Sequence, residues 1–147
     1  MNQVNQVNQV NPVNPVNPDF AYDTARLDQV LCEGSCTVTA IDVEHFRRLM
    51  GYPETPPGQS PVTPPSMGLT YGLRLGWENT IFPPGAIRMG DDDVFGVAAR
   101  VGDRLVTQFR IVEKFERKNR KFMKYQMRTR NQADEMVCSV SFTAVVP

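Results

Sequence analysis

Thr63-Pro64-Pro65-Ser66-Met67-Gly68-Leu69-Thr70-Tyr71-Gly72-Leu73-Arg74-Leu75-Gly76-Trp77 is the stretch whose reading decides the fold. Its prolines cannot continue a preceding helix, and Ser66 can cap a new one by accepting a backbone N–H bond. Two periods then compete. Met67, Leu69, Tyr71, Leu73, Leu75 and Trp77 alternate as on a strand, while Gly68, Gly72 and Gly76 recur every fourth residue as on one helix face. Periodicity alone leaves an ordinary buried strand open. Glycine weakens a helix interior by about 1 kcal/mol per residue, and a close approach to another backbone along the glycine edge can offset that. The segment is therefore read as a buried helix wrapped by strands that come later.

The last third supplies those strands. Leu105, Thr107, Phe109 and Ile111 alternate with polar or β-branched neighbours, and Lys118-Asn119-Arg120 signals a hairpin. Met123, Tyr125, Met127 and Thr129 alternate next, and the chain turns again between Asn131 and Glu135. Met136, Cys138, Val140, Phe142, Ala144 and Val146 then form a third alternating run. Each strand has one apolar face, the condition for an antiparallel sheet covered on one side. Val94 to Arg100 reads as a further short strand and Val101-Gly102-Asp103 as a tight turn. Phe82-Pro83-Pro84-Gly85 and Gly90-Asp91-Asp92-Asp93 read as turns too. The three aspartates lack the alternating spacing of a calcium loop, so no metal is expected. A sheet with one buried helix on its apolar face is a two-layer α+β domain.

Upstream, Asp23 can cap a short helix with Ala25, Leu27, Val30 and Leu31 as its apolar stripe, and Gly34 is placed to end it. Cys36-Thr37-Val38 reads as extended. Thr39 opens a second helix with Asp42 as an imperfect capping box. Ile41, Phe46 and Leu49 face inward there, Glu44, Arg47 and Arg48 face water, and Gly51 ends it. His45, the sole histidine, is a solvated or packed surface residue of this helix. Six prolines between Tyr52 and Pro65 make a stiff loop, either a lid or a plain connector. Residues 2–18 repeat Asn-Gln-Val and then Asn-Pro-Val. With no charge and little bulk, residues 1–18 read as a flexible tail to a domain over residues 19–147.

Composition narrows the function classes. The 147 residues carry 16 basic and 16 acidic side chains, so no whole-molecule field favours nucleic acid. Cys32, Cys36 and Cys138 are an odd set without a secretory signal, which favours a reducing, cytoplasmic setting and thiols that simply pack. No apolar run approaches the ~20 residues that span a bilayer. Charge is uneven, however: residues 100–130 hold eleven basic side chains against Asp103, Glu113 and Glu116. That stretch is either a phosphate-binding surface or a solvated strand face that discourages edge pairing. Sparse aromatics on the same strands weaken the case for nucleic acid.

From about Cys36 to Val146 the chain resembles the MaoC-like dehydratases, specifically the N-terminal hot-dog half found in acyl-thioester hydratases. Four pieces carry the resemblance: Thr37-Val38-Thr39 leading to the helix end at Phe46–Gly51; Thr63-Pro64-Pro65-Ser66; Val101-Gly102-Asp103-Arg104-Leu105; and the turn before Ser141-Phe142-Thr143. It implies a hot-dog fold, a curved antiparallel sheet wrapped around a long central helix, and so favours the helical reading of the opening stretch. It also implies reversible addition of water across an enoyl thioester on coenzyme A or a carrier protein, coenzyme A being part of the substrate and no separate cofactor being needed. In that family an Asp and a His from Gly-Asp-x-Asn-Pro-x-His move the protons, and amides at the start of the central helix polarise the thioester oxygen.

The sequence departs from that pattern. Gly51 matches its first position, but Tyr52 stands where Asp is expected and Pro53-Glu54-Thr55-Pro56-Pro57 replaces the rest. No histidine follows His45. Glu54 is the one nearby carboxylate that can serve as a base, with Glu78 as a further candidate. The oxyanion site carries over to the amides of Ser66, Met67 and Gly68, with Tyr52, Pro65 and Tyr71 as its wall. The resemblance thus implies an acyl-thioester-binding domain without its catalytic pair. It would be the non-catalytic half of a homodimer or of a heteromer with a catalytic hot-dog subunit. The alternatives are an active hydratase or thioesterase using Glu54 or Glu78, and a basic interaction module.

Overall fold

The computed structural model describes residues 20–147; the Asn-Gln-Val and Asn-Pro-Val repeats, read as a tail, lie outside them. Seven elements follow in the order β1 (Val30–Thr37), α1 (Ala40–Leu49), α2 (Pro65–Glu78), β2 (Ile87–Phe95), β3 (Arg104–Arg117), β4 (Arg120–Arg130) and β5 (Met136–Val146). The strands form one antiparallel sheet in the order β1-β3-β4-β5-β2. The apolar face of β3, β4 and β5 packs on α2, giving the α+β arrangement of a sheet around a central helix.

The glycine edge of α2 decides how closely the two layers meet. A Cβ at Gly68 would lie 3.2 Å from Val137 Cγ1 on β5. One at Gly72 would lie 2.7 Å from Met127 Cε on β4, and one at Gly76 3.1 Å from Phe109 Cζ on β3. Four residues of helix rise about 6 Å and neighbouring strands lie about 4.8 Å apart. One glycine therefore falls over each successive strand as the helix crosses the sheet. The close approach is to side chains of the sheet, not to another backbone as the sequence suggested. Ser66 is not the cap either. Pro64 holds the cap position without a side-chain bond, and Pro65 begins the helix where its missing N–H costs nothing.

Two strands differ from the sequence reading, and both are sheet edges. Residues expected to form a helix capped by Asp23 are instead turns followed by β1, with Gly34 inside the strand rather than at a helix end. Gly34 is small because Leu75 of α2 lies directly over it. The expected turn at Gly90-Asp91-Asp92-Asp93 lies within β2, which stops at Phe95 rather than reaching Arg100. β2 is held only by pairing with β5, and every residue of it is exposed, so it shows no apolar alternation.

α1 starts as expected: Thr39 Oγ1 accepts from Asp42 N at 3.1 Å and donates to Asp42 Oδ2 at 2.7 Å. Its buried residue is Val43, whereas Ile41 and Leu49, expected inward, are exposed. The β3–β4 hairpin turns through Lys118 and Asn119, both at positive φ. The chain ahead of β1 lies against the same hairpin, where Lys114 Nζ donates to Ala25 O at 2.7 Å and Lys121 pairs with Asp23 at 2.9 Å.

Gly72→Val is expected to cost about 2 kcal/mol by overpacking against Met127, read from the urea midpoint. Arg74→Ala, which removes only an exposed pair with Glu78 on the same helix, is expected to cost under about 0.5 kcal/mol.

Tyr125 is fully buried, and burial pushes its phenol up to about 12. The folded state favours the neutral phenol. Its contribution is thus complete below the unfolded value near 10 and is lost as the pH climbs towards 12. The shift corresponds to about 2–3 kcal/mol. Tyr125→Phe is expected to move alkaline unfolding, followed by circular dichroism, to higher pH.

Candidate functional site

The route into α2 is set by one arginine. Arg47, read from sequence as facing water, donates from Nη2 to Pro53 O at 2.8 Å and from Nη1 to Val62 O at 3.1 Å. Its guanidinium also lies 5.5 Å from the centre of the Tyr52 ring. Both ends of the proline loop are thereby tied to α1, and the chain is delivered to Thr63 and Pro64, which are buried. Thr63 Oγ1 is buried there without a hydrogen-bond partner among the described residues.

At the start of α2 a cavity of about 70 Å³ is lined by Pro64, Pro65 and Gly68 on one side and by residues 95–99 and Val137 on the other. The chain leaving β2 is pinned across β5, with Gly96 N donating to Val137 O and Val97 N to Met136 O, each at 2.9 Å. Gly96 is required there, because a Cβ would fall onto the Met136 carbonyl. Of the three amides carried over as oxyanion donors, Met67 N donates to Pro64 O at 3.0 Å. Ser66 N sits in the first turn, where the helix offers it no acceptor, and of the three residues only Gly68 lines the cavity. None of the side chains lining the cavity is an acid or a base.

The remaining sequence candidates lie apart from this cavity. Tyr52 and Glu54 are exposed on the proline loop, and His45 is exposed on α1. Of the three residues expected as a wall, only Pro65 lines the cavity. Tyr71 and Glu78 line a separate cleft of about 240 Å³ between β1 and α2, together with Cys36, Asp42 and Arg74. There Tyr71 Oη donates to Asp42 Oδ2 at 3.4 Å, and burial, with Asp42 beside it, pushes the phenol up. Arg74 Nε holds Glu78 Oε1 at 2.7 Å. Sequence reasoning missed this cleft because its groups come from β1, α1 and α2 and share no spacing.

Burial raises all three thiols, Cys32 to about 11, so none is a ready nucleophile. Among the described residues no three His, Cys, Asp or Glu side chains are placed to hold a metal, and no helix is long and apolar enough to cross a membrane.

Strand alternation divides the basic stretch. Lys114 and Lys121 face the N-terminal segment, where both lie near the Tyr22 ring. Arg104, Arg110, Arg128 and Arg130 line a groove of about 560 Å³ on the sheet face opposite α2. Arg130 pairs with Asp134 at 3.1 Å, and Arg110 Nε donates to Gln108 Oε1 at 2.7 Å.

No protein-family model and no curated protein matches the chain. Solved structures do. The unliganded R-hydratase PhaJ1 from Pseudomonas aeruginosa superposes with a TM-score of 0.70 at 18% identity, covering 87% of this chain and 86% of that one. The MaoC-like dehydratase from Rhodospirillum rubrum gives 0.68 at 16% identity, covering 84% and 94%. The C-terminally truncated HadBC (3R-hydroxyacyl-ACP dehydratase) complex from Mycobacterium tuberculosis gives 0.67 at 15% identity, covering 84% and 98%. At these identities the likeness shows the fold, and that fold is the hot-dog.

Proposed function

We propose that the chain is an acyl-thioester-binding hot-dog subunit of the MaoC-like hydratase type, without a proton-transfer pair of its own and paired with a second hot-dog unit. The observation that carries this reading is the cavity beside the first turn of α2, which Gly68 lines and whose lining holds no titratable side chain. Amides at a helix N-terminus stabilise charge that builds on a thioester oxygen, because the dipole and the N–H groups are already aimed. What is missing is the acid and base that add water. Tyr52 occupies the expected Asp position and the chain has no histidine after His45. The acyl group would arrive on coenzyme A or a carrier protein, and the free thiols suit a reducing cytoplasm.

Pairing is supported by the apolar side chains left exposed along β2 and the end of α2, among them Trp77, Ile87, Met89 and Phe95. One structure of similar fold, HadBC from Mycobacterium tuberculosis, is itself a complex. A second reading, a basic interaction module, draws on the arginine groove. Retention on a polyanion column that vanishes in moderate salt and ignores coenzyme A would belong to it.

Crotonyl-CoA is expected to bind the purified chain in calorimetry while the chain alone hydrates it negligibly. Ser66→Pro tests the amide directly. Proline is tolerated in the first turn of a helix, so the change deletes one N–H while keeping the fold. It is expected to weaken binding about tenfold, the worth of about 1.4 kcal/mol. Substantial turnover would overturn the non-catalytic part, and its loss in Glu54→Gln or Glu78→Gln would assign the activity to that carboxylate. Unchanged affinity in Ser66→Pro would remove its amide from the site.

A further inference from the structure

We infer that the free edge of β2 docks a different hot-dog subunit, one whose own edge strand carries Lys or Arg, and that it disfavours a second copy of this chain. The inference rests on the paired hot-dog reading above and names the partner. β2 is hydrogen-bonded to β5 on one side only, so its outer N–H and C=O groups are open to another strand. Around it Trp77 is 68% exposed, and Ile87 and Met89 are each 62% exposed, more apolar surface than an edge left in water carries.

The middle of that edge is Asp91-Asp92-Asp93. Arg88 pairs with Asp91, and its guanidinium stacks 4.5 Å from the centre of the Phe142 ring. Asp92 and Asp93 have no ion pair among the described residues.

Self-pairing meets a symmetry problem. Two copies joined edge to edge are related by a two-fold axis, and residues directly opposite point to the same face of the sheet. A register irregularity between Arg88 and Gly90 leaves residues 90–95 as the regular part of the strand. An axis at Asp91, Asp92 or Asp93 sets that aspartate against its own copy. At Asp92 it adds two further pairs between Asp91 and Asp93. Like charges directly opposite destabilise a strand pair. An axis shifted to Val94 leaves Ile87 to Gly90 with nothing to pair.

The one basic residue of β2, Arg88, would meet an aspartate of a second copy only with the axis at Gly90. It is already held by its own Asp91 and the Phe142 ring, so that register gains no new charge pairing. β1, the other edge, carries Glu33 and no basic residue, and the arginines of the groove lie on a sheet face. The complementary charge therefore belongs to another chain. That chain also completes the site. Residues 95–99, which continue β2, line the cavity at the start of α2, so a subunit seated on β2 lies beside it and supplies the acid and base that the lining lacks.

Sedimentation of the full chain tests this, with its Asp92→Lys, Asp93→Lys variant as a partner that presents a cationic edge on the same fold. At low salt, wild type and variant mixed are expected to associate at least about tenfold more tightly than wild type alone, and the difference is expected to vanish at high salt. Wild type that dimerises as tightly as the mixture overturns the inference. Should the variant fail to fold, Asp92→Asn, Asp93→Asn serves instead: tighter self-association than wild type supports the inference, and unchanged or weaker association overturns it. No acyl-CoA is present, so failure of the thioester reading leaves this result standing, and the reverse holds as well.

Discussion

The contact on which the structure depends is the glycine edge of α2 lying against the side chains of β5, β4 and β3. Helix rise and strand spacing are close enough that one glycine per turn meets one strand, with Val137, Met127 and Phe109 beneath Gly68, Gly72 and Gly76 in turn. Each glycine weakens the isolated helix by about 1 kcal/mol, and the tight fit of large side chains into the space it leaves offsets that cost. The same fit fixes where the helix begins. With Gly68 on β5, the first turn of α2 lies beside the chain that leaves β2, and the small cavity between them follows from the packing.

The interior of the fold was legible because burial writes itself into sequence. β3, β4 and β5 each have one face on the core, so Leu105 to Ile111, Met123 to Thr129 and Cys138 to Val146 alternate cleanly. The two edge strands were not legible, for opposite reasons. β1 faces α2 with small residues such as Gly34 because Leu75 fills the space above it, which erases the apolar signal. β2 is exposed throughout and owes its conformation to hydrogen bonds with β5, so its aspartates read as a turn.

The site shows the same division. The start of the central helix could be placed from Pro64, Pro65 and the glycine spacing. The surroundings could not, because Arg47 acts through backbone carbonyls fifteen and six residues away, and no pattern of residue types announces such a bond. The sequence-derived wall also assumed that Tyr71 and Pro65 face the same space. They are six residues apart on a helix, and the structure sends Tyr71 to the β1 side with Asp42 while Pro65 stays beside residues 95–99.

The central claim is that the first turn of α2 receives a thioester oxygen. Nitrogen-15 NMR of the chain titrated with crotonyl-CoA addresses it residue by residue. The account predicts saturable shifts of the Ser66 and Gly68 amides together with those of residues 95–99. Shifts confined to the arginine groove, or none at all, would contradict it.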